Sequence, residues 1–388
     1  MARFVLGLAI AALVLASACG NASIPTTQAR VPSLAGKPAS FDDLEIDQSA
    51  QRVYVADRTD AGIDVFDVSG AQPKFLRTVK LPATPNGLAI APGLGRLYAG
   101  TSSGSVEVVD TAAGTITSEI KTGAREVDLL DFASGPNLLF ASTGAGGTLL
   151  TIDGATGKVL STAEVGRPIE QPRFAPADGL VYASVPDLDA LVAIDPGTGT
   201  VKRTLKLHGC IPTGLAIKPG STSAVIACRK STWAYDLRTS HAGDLGRVGG
   251  GDIVQYFAAV DRFFVTSPHS QVPTIVGMFG GDPIAYIGSA KVDGGGNAAV
   301  YDVRTDAVYT SDPRAATGGL TGFRIDGSRP VPFLQATLTT YGPFAVLALL
   351  VLPLWLFLGR RGDPVNRKRP APRRAPAVVL ARPKVDGP

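Results

Sequence analysis

Apolar positions along this chain come in short runs. Between Thr84 and Gly123, β-branched and aliphatic runs at residues 87–90, 97–101, 106–110 and 115–121 stand between turns of Gly, Pro and Ser. Each run is strand-length, and none sustains the 3.6-residue period of an amphipathic helix. The pattern predicts a four-stranded antiparallel meander. It recurs, with first strands entered near Phe41, Thr84, Arg125, Glu170, Thr213, Asp252 and Asn297. The intervals of 39 to 45 residues are those of propeller blades. An aspartate closes the third run at Asp67, Asp110, Asp153, Asp195 and Asp236, often before a turn such as Thr156-Gly157 or Thr198-Gly199. The sixth unit has Gly280-Gly281-Asp282 instead, and the seventh resumes the marker at Arg324-Ile325-Asp326. The expected fold is all-β, a seven-bladed β-propeller over residues 41–329.

One meander exposes two apolar faces, and stacking blades side by side buries them. The seventh unit supplies only three runs, at residues 297–302, 308–311 and 320–325. Its fourth strand is expected from the N-terminal segment around Ala29 to Ala39, beside residues 320–325. Such closure removes an open sheet edge.

The flanks differ in character. Residues 1–18 read as a signal peptide: Arg3, a short apolar core at residues 4–15, then Ala16-Ser17-Ala18 as cleavage site. That core is shorter than the ~20 residues of a spanning helix. Residues 19–40 hold Cys19, a Pro/Ser/Thr/Ala-rich spacer and the closing strand. Residues 330–359 contain an almost wholly apolar stretch, 338–358, long enough at ~1.5 Å per residue to cross a ~30 Å hydrocarbon layer as one C-terminal transmembrane helix. Tyr341 and Trp355 suit its interfaces, and Pro353 should kink it. Arg360 and Arg361 follow at once, which keeps this end in the cytoplasm. Residues 360–388 read as a basic, proline-rich, disordered cytoplasmic tail. The expected location is the cell membrane, with the propeller on the extracytoplasmic side.

Charge refines this picture. The net charge of +4 hides an asymmetry: residues 359–388 hold 9 Lys/Arg against 2 Asp/Glu, whereas residues 20–340 hold 27 against 31. The folded part is therefore mildly acidic, which argues against a nucleic-acid partner. The basic tail suits anionic lipid heads.

Gly87-Leu88-Ala89-Ile90, then Arg96-Leu97-Tyr98, then Val106-Glu107-Val108-Val109-Asp110 resembles the YVTN-type β-propeller repeat. Tyr54-Val55-Ala56-Asp57 and Tyr309-Thr310-Ser311-Asp312 fall at the tetrapeptide that names it. The resemblance covers roughly residues 41–328 and implies an exported or surface-associated binding protein, with no catalytic residue to carry over. Leu15-Ala16-Ser17-Ala18-Cys19-Gly20 resembles the lipobox of bacterial lipoproteins, with Ala16 where that family favours Leu. This implies lipidation of Cys19; ordinary cleavage beside an unmodified cysteine is the other reading.

Candidate chemistry is sparse. Cys210 precedes the first strand of the fifth unit and Cys228 ends its second, so the hairpin brings them together. A disulfide is expected in an oxidising compartment, the rival being a pair of buried thiols. His208, His241 and His269 lack ligand spacing, so neither a metal site nor a cofactor is expected. Gly249-Gly250-Gly251, Gly294-Gly295-Gly296 and Gly144-Ala145-Gly146-Gly147 lie between strands and read as turns. What remains is the mouth of the central channel, rimmed in propellers by the loops that lead into the innermost strands. Its candidate ligand-binding residues are Asn86, Arg125, Glu126, Glu170, Arg173, Asp252 and Asn297, beside Asp42, Asp43, Gln171 and Thr213. The bland reading is of solvated loop ends pairing with one another. Two function classes compete. One is a membrane-tethered module that binds a protein or small molecule without chemistry of its own. The other is a lactonase-like propeller hydrolase whose channel holds a divalent cation on Asp252, Asn297, Glu170 and Asn86.

Overall fold

The computed structural model describes residues 26–268, 274–292, 294–314 and 318–324. The signal peptide, Cys19, His269, Asp326, the expected span and the basic tail lie outside them. Among the described residues no helix is long and apolar enough to cross a membrane.

Strand β1 (Thr26–Arg30) precedes six consecutive meanders. The first blade is β2–β5 (Phe41–Asp47, Arg52–Asp57, Gly62–Asp67, Lys74–Lys80), and the second is β6–β9 (Pro85–Ala91, Arg96–Thr101, Ser105–Asp110, Thr115–Lys121). The third is β10–β13 (Leu130–Ala133, Leu138–Ser142, Thr148–Asp153, Val159–Glu164). The fourth is β14–β17 (Pro172–Ala175, Leu180–Val185, Ala190–Asp195, Thr200–Lys206). The fifth is β18–β21 (Pro212–Ile217, Ser223–Cys228, Thr232–Asp236, Ala242–Gly246), and the sixth is β22–β25 (Val254–Phe257, Arg262–Ser267, Thr274–Gly280, Ala285–Val292). The seventh adds β26–β28 (Ala299–Asp302, Ala307–Asp312, Gly319–Arg324). Each sheet has four antiparallel strands, and the first strands touch in turn, β2, β6, β10, β14, β18, β22, β26 and back to β2. The fold is a seven-bladed β-propeller.

Burial explains the hydrophobic pattern. Strand β3 buries Val53, Tyr54, Val55 and Ala56 in succession because neighbouring blades cover both of its faces. The outer strands face solvent, and β9 (Thr-Ile-Thr-Ser-Glu-Ile-Lys) buries Ile120 alone. The recurrent aspartates are turn residues, since the carboxylate takes the amide N–H groups two and three positions on. Asp110 Oδ1 accepts from Ala112 N at 2.9 Å and Ala113 N at 2.7 Å. Asp153 does the same with Thr156 N at 2.7 Å and Ala155 N at 3.1 Å, which holds its carboxyl below the usual range. Blades are also tied to their neighbours. Arg52 Nη1 donates to Thr111 O at 2.8 Å, and Arg96 Nη1 to Gly154 O at 2.8 Å.

Closure joins the first and last described strands. β1 pairs antiparallel with β28, Ala29 opposite Leu320, in a sheet ordered β1-β28-β27-β26. The closing strand starts at Thr26, three residues before the expected Ala29, and stops at Arg30. Pro32 lacks an amide N–H and opens the 3₁₀ turn Pro32–Leu34, whose Leu34 packs into the core beside Val31 and Leu44. A disulfide joins Cys210 to Cys228 with the Cα atoms 4.7 Å apart.

Gly319 lies at φ 150°, and a Cβ there would meet Ala29 O at 2.2 Å. Gly319→Ala should therefore cost about 1–3 kcal/mol in urea unfolding. Gly93→Ala, with open space around it, should stay within about 0.5 kcal/mol of wild type; equal effects would show that β1 does not constrain Gly319. Cys228→Ser opens a link spanning 18 residues, worth ~3 kcal/mol through the unfolded chain. It should lower the unfolding midpoint in oxidising buffer and barely change it under reductant, whereas equal losses would assign the effect to packing.

Candidate functional site

Register makes the seven innermost strands comparable. Leu44, Leu88, Leu130, Pro172, Leu215, Val254 and Ala299 pair with Val55, Ala99, Ala141, Ala183, Ile226, Val265 and Thr310 on their second strands. Two positions earlier stand Asp42, Asn86, Asp128, Glu170, Thr213, Asp252 and Asn297. Every blade therefore contributes one polar side chain to the same level of the channel mouth, and four of the seven are carboxylates.

Some are held by neighbours. Asp42 accepts Arg58 Nη1 at 2.7 Å and Asn297 Nδ2 at 3.3 Å. Asn86 Nδ2 donates to Val127 O at 2.9 Å, while its Oδ1 is buried without a hydrogen-bond partner. Thr213 Oγ1 donates to Gly251 O at 2.6 Å. The other three carboxylates are not so supported. Burial pushes Asp128 up to about 8, and Glu170, Asp42, Glu126 and Asp252 add like-charge repulsion. Asp252 rises to about 7 through burial and the charges of Asp42, Glu170 and Asp43. Glu170 is raised by burial and by Asp42. Mutual repulsion of this kind reflects carboxylates held near one another.

The structure brings four sequence-predicted residues, Asn86, Glu170, Asp252 and Asn297, into this ring. Arg125 and Arg173 fall outside it, and Glu126 stands beside it, close enough to raise Asp128. Arg125 and Glu126 lie on the lead-in to the third blade and line a groove of about 630 Å³ with Thr122, Thr143 and Glu164. Ala145 N donates to Glu126 Oε1 at 3.4 Å. The ring position of that blade is Asp128, which the sequence reading missed. Its signal is a polar residue two before the first core residue, as in Asp42-Asp43-Leu44, Asn86-Gly87-Leu88, Asp128-Leu129-Leu130 and Thr213-Gly214-Leu215.

Arg173 lies deeper, in a second compartment of about 410 Å³ with Glu45, Asp131 and Gln255. It stands three residues beyond the ring on strand geometry of ~3.3 Å per residue, about 10 Å further along. Its Nη1 lies 3.7 Å from Asp131 Oδ1 and donates to Pro172 O at 2.9 Å. Burial lifts Glu45 to about 8, and Arg173 opposes that rise. Between the two levels, side chains reach backbone amides of later blades. Asp43 Oδ2 accepts from Leu88 N at 3.0 Å, Asp131 Oδ2 from Phe174 N at 2.8 Å, and Gln171 Oε1 from Leu215 N at 2.8 Å and Val254 N at 3.0 Å. Arg173 is thus a counter-ion within the channel wall, not a mouth residue.

Other chemistry is thin. Gly100-Thr101-Ser102-Ser103-Gly104 spells G-x-S-x-G, a string that the reading of the sequence overlooked, but it forms the β7–β8 hairpin, not the strand-to-helix turn of a nucleophile elbow. Among the described residues, no group of three or more His, Cys, Asp or Glu side chains is arranged to hold a metal ion. No family model matches the chain, and no curated protein matches its sequence.

The ring carries a pH signature. Asp128 ordinarily titrates near 3.8 and here near 8, so between these pH values the folded state binds more protons than the unfolded one. Stability contributed at low pH is then lost as pH rises toward 8. Asp128→Asn cannot ionise, so it should melt above wild type at pH 8 and close to it at pH 4. Thermal unfolding by circular dichroism measures both, and an equal difference at the two pH values would contradict the assignment.

Proposed function

We propose that this chain is a membrane-anchored, extracytoplasmic β-propeller of the YVTN type that binds a protein or small-molecule ligand at its channel mouth, without chemistry of its own. One observation carries the reading: seven blades each direct a polar residue to one ring, and Asp128, Glu170 and Asp252 are raised by burial and like charge. Gathered carboxylates of this kind favour a cationic group bound among them. Rigid propeller strands suit preorganised recognition. The membrane anchor is read from the apolar stretch at residues 338–358 and the basic tail behind it, with Cys19 as a second attachment point. The hydrolase reading ranks second: of its four donors only Glu170 and Asp252 carry charge, and among the described residues no group of three or more His, Cys, Asp or Glu side chains is arranged to hold a metal ion.

A membrane-impermeant, cleavable amine crosslinker applied to intact cells tests this reading. Wild type should react from outside and carry a crosslinked partner. Glu170→Ala with Asp252→Ala should lose that partner at undiminished thermal stability. Reaction only after lysis would overturn the orientation, and full crosslinking by the double variant would move the binding site away from the mouth.

A further inference from the structure

Beside the ring, between the loops of the fourth, fifth and sixth blades, opens a cavity of about 740 Å³. That is within the ~300–1,000 Å³ range of small-molecule sites. Its inner wall carries Glu170 and Asp252, and its outer wall carries Arg229, Lys230 and Arg247. The two carboxylates are half-buried and the three cations are exposed, so the lining runs from negative inside to positive outside. Burial and neighbouring carboxylates raise both Glu170 and Asp252.

The walls are braced. Ile211 and Arg229 directly follow the two cysteines of the disulfide, and Arg229 N donates to Cys210 O at 3.0 Å. Ile211, a β-branched residue, sits at φ 53°, and Arg247 at φ 76°, conformations that side-chain-bearing residues of this kind rarely hold unless their surroundings impose them. Asp189 imposes the first: its carboxylate accepts Ile211 N at 2.7 Å and also Gly209 N. Gly250 N donates to Cys228 O at 3.1 Å, and a Cβ on Gly249 would meet Lys230 O at 2.3 Å. The loops that carry Arg229, Lys230 and Arg247 are therefore packed backbone to backbone around the cavity.

We infer that this cavity binds a zwitterion of the amino-acid or short-peptide class, its ammonium group against Glu170 and Asp252 and its carboxylate toward Arg229, Lys230 and Arg247. An ammonium suits the inner wall better than a metal ion, because it needs separate acceptors and not a tight chelating cluster. The inference rests on the reading of the mouth as the binding face, and it adds the chemistry of the ligand.

Titration calorimetry on the full-length protein in detergent tests it with three probes: the dipeptide Ala-Glu, its N-acetyl form without the ammonium, and its form with both carboxyls amidated. Ala-Glu should bind wild type, and each blocked form should bind about tenfold more weakly, as expected for loss of one charge-assisted contact. In Glu170→Gln with Asp252→Asn, acetylation should cost nothing further. In Arg229→Ala with Lys230→Ala, amidation should cost little further. No heat from Ala-Glu, or equal binding of all three probes by wild type and both variants, overturns the inference. If the crosslinked partner still depends on Glu170 and Asp252, that failure concerns only the ligand class; if that dependence is lost too, the binding face itself is wrong.

Discussion

Closure of the ring is the constraint on which the rest depends. Each four-stranded sheet has two apolar faces, and each face is covered only by the next blade. An open arc would leave the first and seventh blades with one uncovered face each. β1 prevents this by completing the sheet of β26–β28, and Thr27 Oγ1 donates to Gly322 O at 3.2 Å across 295 residues of chain. The contact that seals the fold is thus among its longest in sequence separation. Folding must bring both ends of the propeller together before the last two faces are buried.

Closure also crowds seven backbone strands around one axis. Buried amides there need acceptors, and the structure supplies them with side chains from other blades: Asp43 for Leu88, Asp131 for Phe174, Gln171 for Leu215 and Val254. Arg173 balances the carboxylates of that deeper level. At the mouth only Asp42 is paired in this way, with Arg58, among the described residues. The mouth's carboxylates are placed by the same strands, yet Asp128, Glu170 and Asp252 receive neither amide nor cation. The difference between the two levels separates a polar network that serves the fold from one that has no structural role in view.

Six of the seven ring residues were legible before any coordinates, Asp42 and Thr213 among them. Asn86, Glu170, Asp252 and Asn297 precede recognisable strands by a constant offset, and so were found. Asp128 was missed because the lead-in to the third blade is longer, and the charged pair Arg125-Glu126 drew the alignment three residues early. Arg173 was misplaced for the opposite reason. It lies past the strand start, and about three residues of strand rise carry it from the mouth to the interior.

Periodicity and turn residues were enough to determine the class of fold, the number of blades and the aspartate that ends most third strands. These depend on contacts within one meander, where strand length, side-chain alternation and turn chemistry are all local. The sequence also determined that the cysteines fall at two ends of one hairpin. Tertiary structure alone decided where the closing strand begins, which polar residues share a level, and that cations from the fifth and sixth blades face carboxylates from the fourth and sixth. Those relations join residues from separate blades, whose relative heights follow from how the sheets pack around the axis, and no local pattern records that packing.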